Sequence, residues 1–172
     1  TEEDKDFVKK NLSLYALTGE IVTIGMLNPD TGRGVVFFQN KGEQFEDFEE
    51  DGLLYRSGSE KEILEKFWEV VKIYEQIITF NGRSFDLPYL MIRSAINEVR
   101  TSRNFMGYRY KSEDHCDLLE QLTFYGTTRR FSLEDALVSA PDIGGDGGGR
   151  RRRVAAGRRL APGRQSLQLG QP

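Results

Sequence analysis

A chain of 172 residues, 38% hydrophobic and 11% aromatic, can build one packed core but is short for several. With Cys116 its single cysteine and His115 its single histidine, an internal disulfide and a thiolate-rich zinc centre are both excluded. Seven arginines against two aspartates give residues 141–172 a charge of +5, leaving −8 on the rest of a molecule whose net charge is −3; such an acidic body does not draw in a phosphate chain by long-range attraction.

The N-terminal TEEDKDFVKK is polar and mixed in charge, unlike a secretory signal, and Asp6 to Leu14 reads as a short helix or its remnant. Glu20 to Leu27 (EIVTIGML) and Gly34 to Gln39 (GVVFFQ) are rich in β-branched and aromatic residues. The Pro/Asp/Gly-containing NPDTGRG lies between them, so the pair predicts a β-hairpin. Glu43 to Tyr55 reads as an acidic connection. Two capping-box spacings follow, Ser57 with Glu60 and Ser59 with Glu62. Ile63, Phe67, Val70, Val71 and Tyr74 then recur at helical spacing and predict one buried face, with Trp68 on or beside it. Gln76 to Phe80 (QIITF) predicts a short buried strand that stops at Asn81-Gly82. Asp86-Leu87-Pro88 opens another helix, with proline tolerated in its first turn, running to about Val99. His115 to Phe124 and the stretch from Phe131 read as further helical segments. Hairpin strands followed by helix, strand and helix make an α/β pattern. No apolar run approaches the roughly 18 residues of a membrane span, and a soluble cytoplasmic protein is the expectation.

Ile77 to Leu90, IITFNGRSFDLPYL, carries the most chemistry. A strand delivers the chain to a turn, and a carboxylate follows in the first turn of a helix. Ligands of open α/β sheets sit beyond the carboxyl ends of strands, which makes Asp86 a candidate ligand for a divalent cation. Asn81 is suited to hydrogen-bond a sugar or phosphate and Phe85 to stack on a base. Each residue also has an ordinary structural use. Aspartate near a helix start caps it, Asn-Gly makes a turn, and phenylalanine fills a core.

FNGRSFDLPYL resembles the second motif of DEDD-type 3′→5′ exonucleases, in particular the proofreading-type domain of family B DNA polymerases and its stand-alone relatives. Asn81, Gly82, Phe85, Asp86, Pro88 and Leu90 match it. His115-Cys116-Asp117-Leu118 resembles the downstream HxDL element, and FSL at Phe131 to Leu133 the start of the next helix. The resemblance covers roughly residues 5–135. It implies a ribonuclease H-like fold, a mixed β-sheet with flanking helices. It also implies Mg²⁺- or Mn²⁺-dependent hydrolysis of single-stranded DNA or RNA from the 3′ end. Asp86 is then the catalytic metal ligand, and Asn81, Gly82, Phe85, His115 and Asp117 are substrate-binding candidates.

The chain also departs from that family. The Asp-x-Glu motif of the first strand is expected before residue 1. No Tyr-x-x-x-Asp follows the FSL segment, and Asp142 and Asp146 stand among glycines. Residues 1–138 are therefore expected to form a partial exonuclease-like domain without its first strand and last helices. Residues 139–172, rich in Gly and Arg without aromatics or period, are expected to be a disordered tail. The abrupt exchange of Lys and aromatics for Arg, Gly, Pro and Ala near Glu134 to Ala140 also fits a change of reading frame. Since one carboxylate does not hold two Mg²⁺ ions, the expected activity is impaired or nil. The alternative is a non-catalytic single-stranded nucleic-acid-binding module on the same fold. Arg150 to Arg153 reads as a flexible basic run rather than a phosphate site.

Overall fold

The hairpin forms as the turn chemistry predicts. In the computed structural model, which describes residues 12, 14–40, 42, 45–139 and 166–170, β1 (Thr23–Leu27) pairs antiparallel with β2 (Gly34–Gln39). Asn28 closes the turn: its Oδ1 accepts from the backbone amides of Asp30 at 2.9 Å and Thr31 at 3.3 Å. This is the local Asx bonding that makes Asn a turn residue.

The acidic segment Glu43 to Tyr55 is more than a connection, since it contributes to a second hairpin. Here β3 (Phe48–Glu50) and β4 (Leu53–Gly58) run antiparallel, and β4 is parallel to β2. Asp51 and Gly52 join them with φ of 51° and 79°, the double positive φ of a tight hairpin turn. Phe48 and Tyr55 stack across the pair at 4.6 Å. The charged residues around them masked an Asp-Gly signal that was present in the sequence.

Helix α1 (Glu60–Val70) starts at Ser59, whose hydroxyl accepts from the Glu62 amide while the Glu62 carboxylate accepts from the Ser59 amide. Of the two possible capping boxes this one forms. Ser57 stays in β4, and Glu60 is used elsewhere. Ile63, Leu64, Phe67, Trp68 and Val71 are buried, with Val70 and Tyr74 packed at the margin. The face meets Ile24, Met26 and Phe37 of the sheet in one core.

After α1 come β5 (Gln76–Thr79), α2 (Asp86–Ile96), β6 (His115–Asp117), α3 (Leu118–Leu122) and α4 (Leu133–Ser139). His115 to Phe124 is thus not all helix. Its first three residues form a strand parallel to β5, because alternation of buried His115, half-buried Cys116 and buried Asp117 fits a sheet edge. The last strand, β7 (Ser166–Gly170), lies inside the segment expected to be a disordered tail. Ser-Leu-Gln-Leu-Gly alternates at period two, and it stands between two strands that have no other partner on that side among the described residues. The sheet order is β3-β4-β2-β1-β7-β5-β6, with β7 antiparallel to β1 and parallel to β5. The architecture is α/β with a mixed sheet. The helix expected at Asp6 to Leu14, except for Leu12 and Leu14, and the basic run Arg150 to Arg153 lie outside the described residues.

Two polar links fix α2 against α1. Arg93 grips Glu60 with both arms of its guanidinium, Nε to Oε1 at 2.7 Å and Nη2 to Oε2 at 2.6 Å. Asn97 and the amide of Ile21 complete the carboxylate's partners, and Arg93 Nη1 donates to the Ala16 carbonyl. The Trp68 indole donates to Ser94 Oγ at 2.8 Å, and Ser94 Oγ donates onward to the Leu90 carbonyl.

Candidate functional site, the turn between β5 and α2

Strand β5 ends at Thr79 and α2 begins at Asp86, so residues 80–85 form the turn at the strand's carboxyl end. Asn81 adopts φ of +62°, a left-handed conformation that Asn tolerates better than most residues. Gly82 is buried, and a methyl at its Cα would stand 2.3 Å from Thr79 Oγ1 and 2.5 Å from Thr79 Cβ. Only glycine lets the turn close so tightly onto the strand.

The turn is held from beneath by Asp117. Its Oδ1 accepts from the amides of Asn81 at 2.9 Å and Leu119 at 3.0 Å, and its Oδ2 accepts from the amide of Arg83 at 3.0 Å. A longer contact from the Glu120 amide, 3.4 Å, adds to the cap of α3. Asp117 is 3% exposed. Both of its oxygens accept from the backbone, so Asp117 is a buried fastener of the turn and a helix cap.

His115 is likewise 3% exposed. Its Nε2 lies 2.8 Å from Thr79 Oγ1, and its Nδ1 has no hydrogen-bond partner among the described residues. Burial pushes its pKa down to about 4, against the pull of the Asp117 carboxylate and with a smaller push from Arg83. The ring is therefore neutral and packed behind the turn. Burial also pushes the neighbouring Cys116 thiol up, the opposite of what a nucleophilic thiolate needs.

Asp86, Asn81 and Phe85 are on the accessible side. Asp86 is half-buried at the first position of α2. The cap position itself belongs to Phe85, whose side chain makes no capping hydrogen bond. The Phe85 ring is 36% exposed and lies 5.7 Å from Tyr89. Asn81 Oδ1 accepts from Arg130 Nη2. The sequence had marked neither Arg130 nor Phe131 as a site residue. The basic pair Arg129-Arg130 followed by an aromatic was the available signal, and only the fold brings it back 49 positions to Asn81.

The donor set falls short of a two-metal centre. Among the described residues no group of three or more His, Cys, Asp or Glu is placed to hold a metal ion. Asp86 offers one carboxylate where hard divalent cations need a shell of six or more oxygens. Nor, among the described residues, is any helix long and apolar enough to cross a membrane.

Known proteins share this stretch. A DNA polymerase of Methanocaldococcus jannaschii is 32% identical over 94 residues, covering 47% of this chain and 6% of that protein. DNA polymerase 1 of Sulfolobus acidocaldarius is 27% identical over 75 residues, 43% of this chain and 9% of the polymerase. DNA polymerase 1 of Sulfurisphaera ohwakuensis is 27% identical over 74 residues, 43% and 8%. The matched stretch is thus less than a tenth of each polymerase's length. Residues 34–148, more than half of the chain and including the whole β5–α2 turn and its supports, match the model of a family described as a predicted 3′-5′ exonuclease related to the exonuclease domain of PolB, and to that family this chain belongs.

Proposed function

We propose that the chain is a 3′→5′ exonuclease-type domain of ribonuclease H-like fold that engages the 3′ end of single-stranded DNA or RNA. In this proposal Asp86 is a ligand for Mg²⁺ or Mn²⁺, Asn81 and Phe85 meet the strand, and Gly82 shapes the turn. His115 and Asp117 act from behind as positioning residues. The observation that carries it is the placement of Asp86. Within the family match, this carboxylate opens a helix beyond the end of a buried strand, on a turn fastened by a buried aspartate. Exonucleases of this kind generally use divalent metals, whose chemistry is to activate water and stabilise the leaving oxygen. The described residues bring one carboxylate to that task, so this polypeptide alone is expected to hydrolyse little or no nucleic acid.

Two measurements test the proposal. In amide NMR spectra, Mn²⁺ is expected to broaden residues 82–87 first, and Asp86→Ala to abolish that broadening. Broadening unchanged by Asp86→Ala, or absent from the turn, overturns Asp86 as a ligand. With end-labelled single-stranded DNA and Mg²⁺ or Mn²⁺, neither protein is expected to shorten the strand. Rapid shortening by the parent, lost in Asp86→Ala, would keep the site but contradict the expected inactivity. Strand binding untouched by metal or by Asp86 would point to a non-catalytic binding module.

A further inference from the structure

An alternation of aromatic and basic residues, Tyr108-Arg109-Tyr110-Lys111, leads into β6 at the edge of the sheet. Its two rings lie 5.5 Å apart, and Tyr110 lies 4.7 Å from Tyr125, just past α3. The pairs are tilted by 62° and 58° rather than stacked flat, so the rings do not seal one another's faces. Tyr108 is 72% exposed and Tyr110 57%. Three neighbouring rings, two of them this open, mark an interaction surface.

The backbone is strained to hold this row. Phe124 and Tyr125 adopt φ of 51° and 58°, where a helix ending ordinarily uses a single glycine and a bulky residue is an outlier. Tyr125 is kept there by a bond at each end. Its amide donates to the Glu120 carbonyl at 2.7 Å, and its hydroxyl accepts from Gln121 Nε2 at 2.7 Å. Backbone strain of this kind collects at functional sites. The row is also clamped to the turn that precedes Asp86. Arg83 Nη1 donates to the Gly107 carbonyl at 3.1 Å, and Arg83 Nε lies 3.4 Å from Glu120, which also accepts from Arg109 Nε at 2.7 Å.

We infer that Tyr108, Tyr110 and Tyr125 form a stacking platform for bases of the single strand behind its 3′ end, with Arg109 and Lys111 on the phosphates between them. This inference rests on the single-strand reading above and adds to it a surface on the β6 side of the turn. Rings alternating with cations match a chain that alternates bases with phosphates, since every base has a π-face and every linkage a charge. An apolar partner would leave the cations unused. Although Arg109 pairs with Glu120 and Lys111 with Asp114, their side chains stay 50% and 56% exposed, so each has donors left for a phosphate. On a body as acidic as this one, such local cations are how a phosphate chain can be held.

The test joins affinity to contact mapping, on the full chain in EDTA so that no metal role of Asp86 contributes. In fluorescence anisotropy with a labelled oligothymidylate, Tyr110→Leu is expected to weaken binding about tenfold, as loss of a stacked base does, and Tyr110→Phe to bind like the parent. Across a salt series, Arg109→Ala and Lys111→Ala should each flatten the slope by about 0.7. Tyr15→Leu, which removes an exposed ring elsewhere, should bind like the parent. Oligonucleotides carrying a single 5-iodouracil should photocrosslink to Tyr108, Tyr110 or Tyr125 from internal positions and not from the 3′-terminal base. If Tyr110→Leu binds like Tyr15→Leu, or the crosslinks miss all three tyrosines, the platform is overturned while the single-strand reading stands. Should thermal melting show Tyr110→Leu unfolded, the crosslinks on the parent decide alone. No strand binding by the parent at low salt overturns both. Asp86 is judged separately, by its response to Mn²⁺.

Discussion

His115 is a buried histidine whose protonation folding opposes. Its pKa of about 4 lies below the ordinary 6.5, so folding favours the neutral ring. Between those two values the unfolded chain takes up a proton that the folded chain refuses. The stability that depends on a neutral His115 is therefore complete above about pH 6.5 and is lost as pH falls toward 4. The whole span corresponds to about 3 kcal/mol. Urea midpoints at pH 7 and 4.5 should show the parent losing about 2 kcal/mol more than His115→Gln. Parallel losses would mean that the histidine is not the acid-sensitive group. Asp117 is also buried, and its carboxylate, accepting several backbone amides, holds Asn81 and Arg83 in the turn that leads to Asp86. These roles could not be read from HCDL, where burial is invisible. A helix-capping role for Asp117 was legible from its place before Leu118, and it is found.

At the scale of elements, α2 is aimed by its far end. Asp86 opens the helix, and Arg93, two turns on, is bound to Glu60 of α1 through two short hydrogen bonds. Burial pushes the Glu60 pKa up, but bonds from Arg93, the Ile21 amide and Asn97 more than offset this and leave it lowered. Removing one partner of such a pair strands a buried charge, at a cost of about 3–5 kcal/mol. Glu60→Ala should show that loss in chemical denaturation. The double variant Glu60→Ala/Arg93→Leu should recover part of it, because the orphaned guanidinium is gone. Additive losses would show that the two side chains act independently. The helical period of α1 and the strand character of QIITF were plain in the sequence because each is a local pattern. Glu60 was not, since its partner is 33 positions away and its spacing from Ser57 offered a plausible alternative use.

Across the whole molecule, the sheet depends on a strand drawn from the last residues of the chain. Gln168 of β7 faces Leu27 of β1 on one side and Ile78 of β5 on the other. Among the described residues, the hairpin half and the β5–β6 half share no ladder without β7. Gln168→Pro removes a backbone donor from this central position and leaves a carbonyl on a neighbouring strand unpaired, at about 1–3 kcal/mol. A lower melting temperature and concentration-dependent association, read by light scattering, are expected, since open strand edges pair with other chains. Melting identical to the parent would show that β7 contributes little to the sheet.

The contrast across these scales has one physical root. Turn chemistry, capping and apolar period act between residues a few positions apart, so the hairpin, the start of α1, the strand β5 and the helix opening at Asp86 were all legible in the bare sequence. The side-chain fastening of Asp117, the neutral state of His115, the return of Arg130 to Asn81 and the insertion of Ser166–Gly170 into the sheet needed the closed fold. Each depends on burial, or on partners brought together across tens of residues, and a linear pattern contains no record of which distant groups will lose their water together.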